Sequence, residues 1–595
     1  MKTLEELDLS SNELEGNLPR CWANLASLTS ILLSSNQFTG DIGLSPLVNL
    51  TSLEDLRLSN NNFQIPISFR PFFNHSRLKA IECLNNDYLL ETDEFQASVP
   101  SFQLYYIGLS DADRHGNNNA AVPKFLYHQH SLRSICLNDI SFSGKSFLWL
   151  IENNTELLTL VLRNNSFTGP LQMPSNPISK LSVLDFSSNH FSGNIPEDIA
   201  TYFPGLRVLR LSANSFTGTI PSSLGDMATI FYLDLSHNLL SGNIPDSLAM
   251  GCRSLFTLRL SNNTLQGSIL PMRHNLTKLF SLELDVNNFT TIPNSLSSCY
   301  NLVVLKINHN HLEGPFPTAI CQLKSLEYLD ISENSIAGIL PACFSPPDIT
   351  LSGSIPTCLG NIMFMPLLDK LGIPRRLLGI RGGIIFDMPN TYEEIYLEEL
   401  IQFVTKSIPL VYRGEMLNYF SAIDLSCNNF LGHIPPEIWK LFYLKSLNLS
   451  RNSLSGTIPI TFANLTDTES LDLSYNRLTG NIPSQLANLD SLQVFNVSFN
   501  NLSGPIPEGP HFQTFNGMSY VGNQLLCGRA VSRNCANLSS GIVPPGTMKG
   551  TNFMDMDMDT FYVSFATAYI IMFLAFFAIL CINPYWRQVW FHLIE

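Results

Sequence analysis

One pattern governs this chain. The stretch "LDLSYNRLTGNIP" at 471–483 returns as "LDFSSNHFSGNIP" at 184–196 and "LDLSHNLLSGNIP" at 233–245, and a fixed internal period restricts a fold more than any single motif does. Aligned on its asparagine, L-x-x-L-x-L-x-x-N-x-L-x-G-x-I-P places that residue at 12, 36, 61, 86, 165, 189, 214, 238, 263, 287, 310 and 334, and again at 428, 452, 476 and 500. Most steps are 24 or 25 residues. Two weaker copies, "IGLSDAD" and "ICLNDISFSG", fill the interval between Asn86 and Asn165, with Ala112 and Ile140 in the asparagine slot.

The L-x-L alternation is that of a strand, so each copy contributes a short parallel strand whose leucines face a shared interior that no copy can bury alone. An asparagine where the chain leaves the strand can satisfy backbone groups of neighbouring coils with its buried amide. Glycine permits the tight backbone that follows, and proline ends the next strand-like piece. The pattern is that of leucine-rich repeats, and the trailing G-x-I-P resembles the plant extracellular subtype. The expected fold is an α/β solenoid: a right-handed superhelix of about eighteen coils with a continuous parallel sheet on its concave side.

The period breaks after "GSIPTC" (353–358), and residues 359–417 carry no asparagine at its spacing. Instead come Arg375, Arg376 and Arg381, then Glu393, Glu394, Glu398 and Glu399, then a β-rich "FVTKSIPLVYRG". A loop this long inside a compact architecture is usually functional or disordered, and an island folded over the concave face is expected. In "GILPACFSPPDITLSGSIP" (338–356) two G-x-[IL]-P-like endings stand 15 residues apart without a strand motif between them, so a coil is missing.

Residues 561–582, "FYVSFATAYIIMFLAFFAILCI", contain no charge. At about 1.5 Å per residue they would cross a bilayer core as one helix. The expected organisation is therefore repeats over 1–358, an island over 359–417, four repeats over 418–507, a cap over 508–536, an acidic juxtamembrane stretch over 537–560, the membrane helix over 561–582 and a short tail over 583–595. Repeats, island, four repeats, cap and span together resemble plant receptor-like proteins, the kinase-lacking class that includes the Cf-type resistance proteins. The resemblance implies that "FQTFNGMSYVGNQLLCG" (512–528) is the C-terminal cap, that Cys527 pairs with Cys535, and that "NPYWR" opens a short cytoplasmic tail. Against the family pattern, Met1 begins inside the first repeat, with neither a signal peptide nor a cysteine-paired N-terminal cap.

Composition narrows the partners. The net charge is −15 and only 14% of residues are charged, below the roughly 25% of ordinary domains; with no basic stripe, a nucleic-acid partner is disfavoured. Asn-x-Ser/Thr acceptors at Asn49, Asn74, Asn153, Asn164, Asn262, Asn275, Asn288, Asn448, Asn464, Asn496, Asn501 and Asn537 fit exposure to a glycosylating lumen, which sets the orientation as single-pass type I in the plasma membrane. Of twelve cysteines, Cys21, Cys343 and Cys358 each follow a repeat proline by two residues and are expected to be buried structural thiols.

No metalloprotease, nucleophile-elbow, dinucleotide or P-loop motif is present, and no enzymatic activity, cofactor or metal is expected. What remains is the strand face. Arg210, Asp234, His237, Arg259, Glu283, Lys306, His309, Tyr328, Asp330 and Glu333 occupy the positions between and just after the leucines, a mixed charged and aromatic patch suited to recognition on a pre-ordered scaffold. A tail of thirteen residues leaves no room for a kinase. The resemblance therefore implies a receptor for an extracellular peptide, protein or glycan fragment, which signals through an adaptor receptor kinase and a ligand-recruited co-receptor kinase, in defence. A developmental peptide receptor, an inhibitor of cell-wall-degrading enzymes and a truncated non-functional receptor fragment remain as alternatives.

Overall fold

A computed structural model of the chain describes residues 3–89, 99–111, 120–145, 147–340, 421–441 and 443–535, together with the backbone of strands at 383–387, 394–398, 400–405 and 408–413. The half-coil at 353–358, Cys343, Cys358, Ala112, Asn537, the acidic stretch, the membrane helix and the tail lie outside the described residues. Among the described residues no helix is long and apolar enough to cross a membrane.

Eighteen short strands pair in parallel, each with the coil before and the coil after. The three-residue strand Tyr232–Asp234 is representative: it lies between Val208–Arg210 and Thr257–Arg259, residue for residue. Leu209, Leu211, Leu233 and Leu235 are fully buried, as the alternation requires. A second strand follows in each coil at the G-x-I-P segment, and these too pair in parallel, as Ser215–Thr219 does with Leu239–Gly242. There Gly218 has φ of +77°, a conformation that strains any residue with a side chain, and a Cβ on it would also push aside Asn194 Oδ1, at 2.6 Å.

The asparagine column is a ladder with one rung for each such coil. Asn263 accepts a hydrogen bond from Leu240 N of the preceding coil at 2.9 Å and donates to Leu235 O of that coil at 3.1 Å and to Leu260 O of its own at 3.0 Å. Asn238 repeats this with Phe216 N, Leu211 O and Leu235 O. One carboxamide thus satisfies three buried backbone groups that the turn would otherwise orphan. The geometry has a cost in the residue just before each asparagine. Ser188, Ala213, His237, Asn262, Val286, His309, Glu333, Cys427, Arg451, Tyr475 and Phe499 all take φ between +50° and +56°, the left-handed region that costs non-glycine residues roughly 1–2 kcal/mol.

Where the asparagine is missing, other side chains take over. Tyr88 donates its hydroxyl to Cys83 O at 2.5 Å and accepts from Ser110 N at 3.1 Å, bridging the weak coils after Asn86. Ile140, in the slot of the second weak copy, is simply buried. On the far side of these coils Gln129 and Asn154, both fully buried, accept from Leu104 N at 2.8 Å and Leu132 N at 2.9 Å.

The ladder also crosses the interruption. Strand Tyr328–Asp330 pairs directly with Ala422–Asp424, and Ser335–Ile339 with Asn429–His433. Asn428 accepts from Ile336 N at 3.1 Å and donates to Ile331 O at 3.0 Å. The coil ending at 340 and the coil beginning at 421 are therefore immediate neighbours. Between them, the described backbone forms two antiparallel hairpins, Gly383–Asp387 with Glu394–Glu398 and Leu400–Thr405 with Ile408–Arg413. The second coincides with the β-rich stretch expected from the sequence.

The solenoid ends in a cap. Phe495, Phe512, Phe515 and Tyr520 pack together with ring centroids 5.0 to 6.2 Å apart. Asn523 supplies a further rung, accepting from Leu502 N at 2.9 Å and donating to Val497 O at 2.9 Å. Cys527 and Cys535 form a disulfide with Cα atoms 5.0 Å apart. The expectation for Cys21 needs correcting: this cysteine is exposed, because among the described residues its turn is covered by the following coil alone. Cys83, Cys252 and Cys299 are the buried free thiols, and burial pushes Cys252 and Cys299 up to about 12.

Replacing Asn263 by Ala should destabilise the protein by about 1–3 kcal/mol in chemical denaturation, since three backbone partners lose their carboxamide; an unchanged midpoint would mean that water fills the site. Val286, a β-branched residue at φ +55°, should gain about 1 kcal/mol on replacement by Asn, which tolerates this conformation.

Candidate functional site: the charged row on the strand face

Parallel pairing in strict register places the third residue of each strand in one row. From Asp185 it reads Asp185, Arg210, Asp234, Arg259, Glu283, Lys306, Asp330. Charge alternates at every step. With parallel strands about 4.8 Å apart, each cation lies between two carboxylates.

Contacts follow from this spacing. Arg210 Nη1 lies 3.2 Å from Asp185 Oδ2, and its Nε 3.9 Å from Asp234 Oδ2. Arg259 Nε donates to Glu283 Oε1 at 2.8 Å and its Nη1 donates to Tyr232 Oη at 2.6 Å. Both guanidinium groups sit over the Tyr232 ring, 5.7 and 5.6 Å from its centroid, the geometry of a cation–π contact. Lys306 Nζ turns instead to Asp285 Oδ2, at 3.1 Å. The serines of the L-x-L-S motif tie down the acids: Ser236 Oγ donates to Asp234 Oδ1 at 2.6 Å and Ser332 Oγ to Asp330 Oδ1 at 2.7 Å.

Neighbouring side chains therefore bury one another. Asp234, Arg259, Glu283, Tyr328 and Asp330 are all under 10% exposed, and the row is a closed lattice where the sequence suggests a solvated patch. Burial opposes the charge on Arg210, but Asp185, Tyr232 and Asp234 more than offset it and hold the guanidinium more firmly protonated. Lys306 behaves likewise, burial being outweighed by Asp285 and Glu283. Burial, with Asp330 and Asp424 nearby, moves Tyr328 well above the usual phenol range.

Three expected site residues stand apart. His237, His309 and Glu333 occupy the left-handed position before the ladder asparagines and are exposed along the edge of the face. His237 Nδ1 lies 2.8 Å from Asn262 Nδ2, and His309 Nε2 lies 2.6 Å from Glu333 Oε2. Further along this edge Arg451 covers Tyr475 at 4.6 Å, and Tyr475 stacks on Phe499 at 4.3 Å.

Absent from the expected site are Asp185 and Asp424, which extend the row, and Tyr232 and Asp285, which contact its cations from beside it. Asp185 and Asp424 hold the same repeat position as Asp234, and Tyr232 the same as Tyr328, so a column-wise reading of the repeats would have found these three. Among the described residues no group of three or more His, Cys, Asp or Glu side chains is arranged to hold a metal ion.

The acceptor asparagines divide by environment. Asn49, Asn74, Asn262, Asn288, Asn464 and Asn501 are exposed, while Asn153, Asn164, Asn275, Asn448 and Asn496 are half-buried. Asn448 and Asn496 lie in the charged row itself, donating to Asp424 Oδ2 at 2.9 Å and Asp472 Oδ2 at 3.2 Å.

The leucine-rich-repeat family models match residues 179–240, 204–265, 421–478 and 443–502, and a single-repeat model matches 3–25, 301–323 and 325–346. Among curated proteins the chain is similar to Cuscuta receptor 1 of Solanum lycopersicum, 33% identical over 211 residues that cover 36% of this chain and 18% of that receptor. It is 35% identical to Receptor-like protein 13 of Arabidopsis thaliana over 295 residues, 50% of this chain and 27% of that protein. The matched segments thus span less than a third of these relatives' lengths. Among solved structures, PEPR1–AtPEP1 aligns with a TM-score of 0.54 at 27% identity, covering 88% of this chain and 72% of that one. The Arabidopsis receptor kinase HAESA, in complex with the peptide hormone IDA and the co-receptor SERK1, aligns at 0.53 and 26%, covering 88% and 86%.

Replacing Arg259 by Met should destabilise the protein by about 3 kcal/mol, because Glu283 is left buried without its partner. Adding Glu283→Leu should recover most of that loss in a double-mutant cycle. Full additivity of the two substitutions would dismiss the lattice as an energetic unit.

Proposed function

From the premise that this chain is a leucine-rich-repeat protein related to the plant receptor-like proteins, we propose that it is the ligand-binding chain of a cell-surface receptor. The observation that carries this reading is the pre-ordered strand face, a fixed charge lattice bordered by exposed His237, His309 and Glu333. The ligand is an extracellular peptide, protein or glycan fragment. An extended peptide suits the face best, since a lattice already neutralised and rigid costs little entropy on binding, and the structural neighbour HAESA is in complex with a peptide hormone.

Residues 561–582 are the proposed single membrane span, with 1–560 outside and 583–595 in the cytoplasm. The signal then leaves through an adaptor receptor kinase and a co-receptor kinase, in plant defence. Developmental peptide sensing is the alternative, and affinity capture of ligands from elicitor-treated against untreated tissue separates the two.

Edge and lattice should behave differently. In the full chain, His309→Ala with Glu333→Ala should reduce capture of the ligand at least tenfold while leaving the melting temperature unchanged. Arg210→Ala should lower the melting temperature as well. Unchanged capture by the edge variant would remove the strand face from the binding surface.

Glycan occupancy provides a further check on the orientation. Glycopeptide mass spectrometry of the chain secreted behind a signal peptide should find Asn49, Asn74, Asn464 and Asn501 modified and Asn448 and Asn496 bare, because the last two amides are half-buried and committed to the carboxylates of Asp424 and Asp472. Glycans at Asn448 and Asn496 would place those side chains in solvent and contradict the row.

A further inference from the structure

The alternation that runs along the strand face from Asp185 ends between Asp330 and Asp424, beyond which the row reads Asn448, Asp472 and Asn496. Asp330 and Asp424 are Cα partners across the interruption, they are 6% and 4% exposed, and in a row that elsewhere sets a cation beside each buried acid they place carboxylate beside carboxylate. We propose that Asp330 and Asp424 form a proton-dependent clasp that seats the four coils after the interruption on the coils before it, tight when the pair holds a proton and loosened when both acids are charged.

Among the described residues the surroundings provide no substitute for that proton. On the preceding coils Lys306 is engaged by Asp285 at 3.1 Å, with Glu283 beside it. On the clasp's own strand stand Glu327 and Tyr328, and at the edge Glu333, which is paired with His309. On the following coils Lys445 pairs with Asp467 at 3.5 Å and Arg451 lies over Tyr475. Asp472 adds a further negative charge to the row, and Cys427 lies at the edge near Glu333. Among the described residues no cation comes within salt-bridge distance of Asp330 or Asp424. Their hydrogen bonds come from neutral donors, Ser332 to Asp330, and Ser426 N and Asn448 Nδ2 to Asp424.

Burial first, and then the Asp424 charge, pushes the Asp330 carboxyl up from its ordinary 3.8 to about 7, and burial raises Asp424 too. A carboxyl whose folded pKa lies above its unfolded value keeps a proton that the opened state releases. The clasp is therefore at full strength below about pH 4 and weakens as pH rises towards 7. The backbone bonds at stake are Ile331 N to Asp424 O and Glu333 N to Ser426 O, both 3.1 Å.

Hydrogen exchange of the full chain reads the clasp at those two amides. After correction for intrinsic exchange, their protection should fall about tenfold or more between pH 5 and pH 7.5, while Leu211 and Leu260, bonded within the unbroken block, keep theirs. Asp424→Asn should fold, because Asn448 and Asn496 fill the same row position natively, and it should make the profile at Ile331 and Glu333 shallower, leaving only the fall that burial of Asp330 alone produces. Asp424→Arg, which restores alternation, should flatten it as well and give higher protection at pH 7.5 than the native chain. A pH-independent native profile, a slope shared equally by Leu211 and Leu260, or an unaltered slope in Asp424→Asn would each overturn the clasp.

Discussion

The structure depends on one side chain reaching three backbone groups at once. A leucine strand can bury its apolar face by stacking on its neighbours, but the turn that follows carries amides and carbonyls into the same dry interior. Asn238, Asn263 and their equivalents answer that need by accepting from one coil and donating to two carbonyls. Because the rung spans coils, it fixes their register, and a fixed register turns a repeated third strand position into a row. The charged lattice is thus a consequence of the ladder: Arg210 meets Asp185 and Asp234 because the carboxamides allow no slippage.

The same constraint makes the interruption informative. Asn428 reaches Ile331 and Ile336 across it as any rung reaches the coil before, so the two blocks of coils read as one stack. Continuity of the backbone ladder does not carry over to charge. The acids at 330 and 424 arrive from opposite sides of the break, and among the described residues neither has a cation within salt-bridge distance. At the one place where the chain leaves its period, the backbone is satisfied and the electrostatics are not.

Much of this was legible in the sequence. The spacing of Asn238 and Asn263, the buried Leu209, Leu211, Leu233 and Leu235, and the β character of the stretch at 403–414 follow from periodicity and local propensity, properties held by a few adjacent residues. What escaped depends on neighbours 24 residues away or on backbone geometry. The left-handed residue before each asparagine has no compositional signature, since Val286, His237 and Tyr475 all occupy it. Tyr88, Gln129, Asn154 and Asn523 do a ladder residue's work without its motif. The mutual burial of the candidate site residues on the strand face was not foreseen, because Asp234 and Arg259 look exposed until the adjacent strand is set beside each.

Disulfide trapping tests the continuity of the stack across the interruption most directly. Ile339 and Leu431 are register partners on the second sheet, both exposed, and partners on adjacent parallel strands stand within the Cα separation that a disulfide spans. The double variant Ile339→Cys with Leu431→Cys should close an intramolecular bond under mild oxidation, while Ile339→Cys with Ser453→Cys, one coil further on, should not. Failure of the first pair, or equal trapping of the second, would contradict a single ladder running through the break.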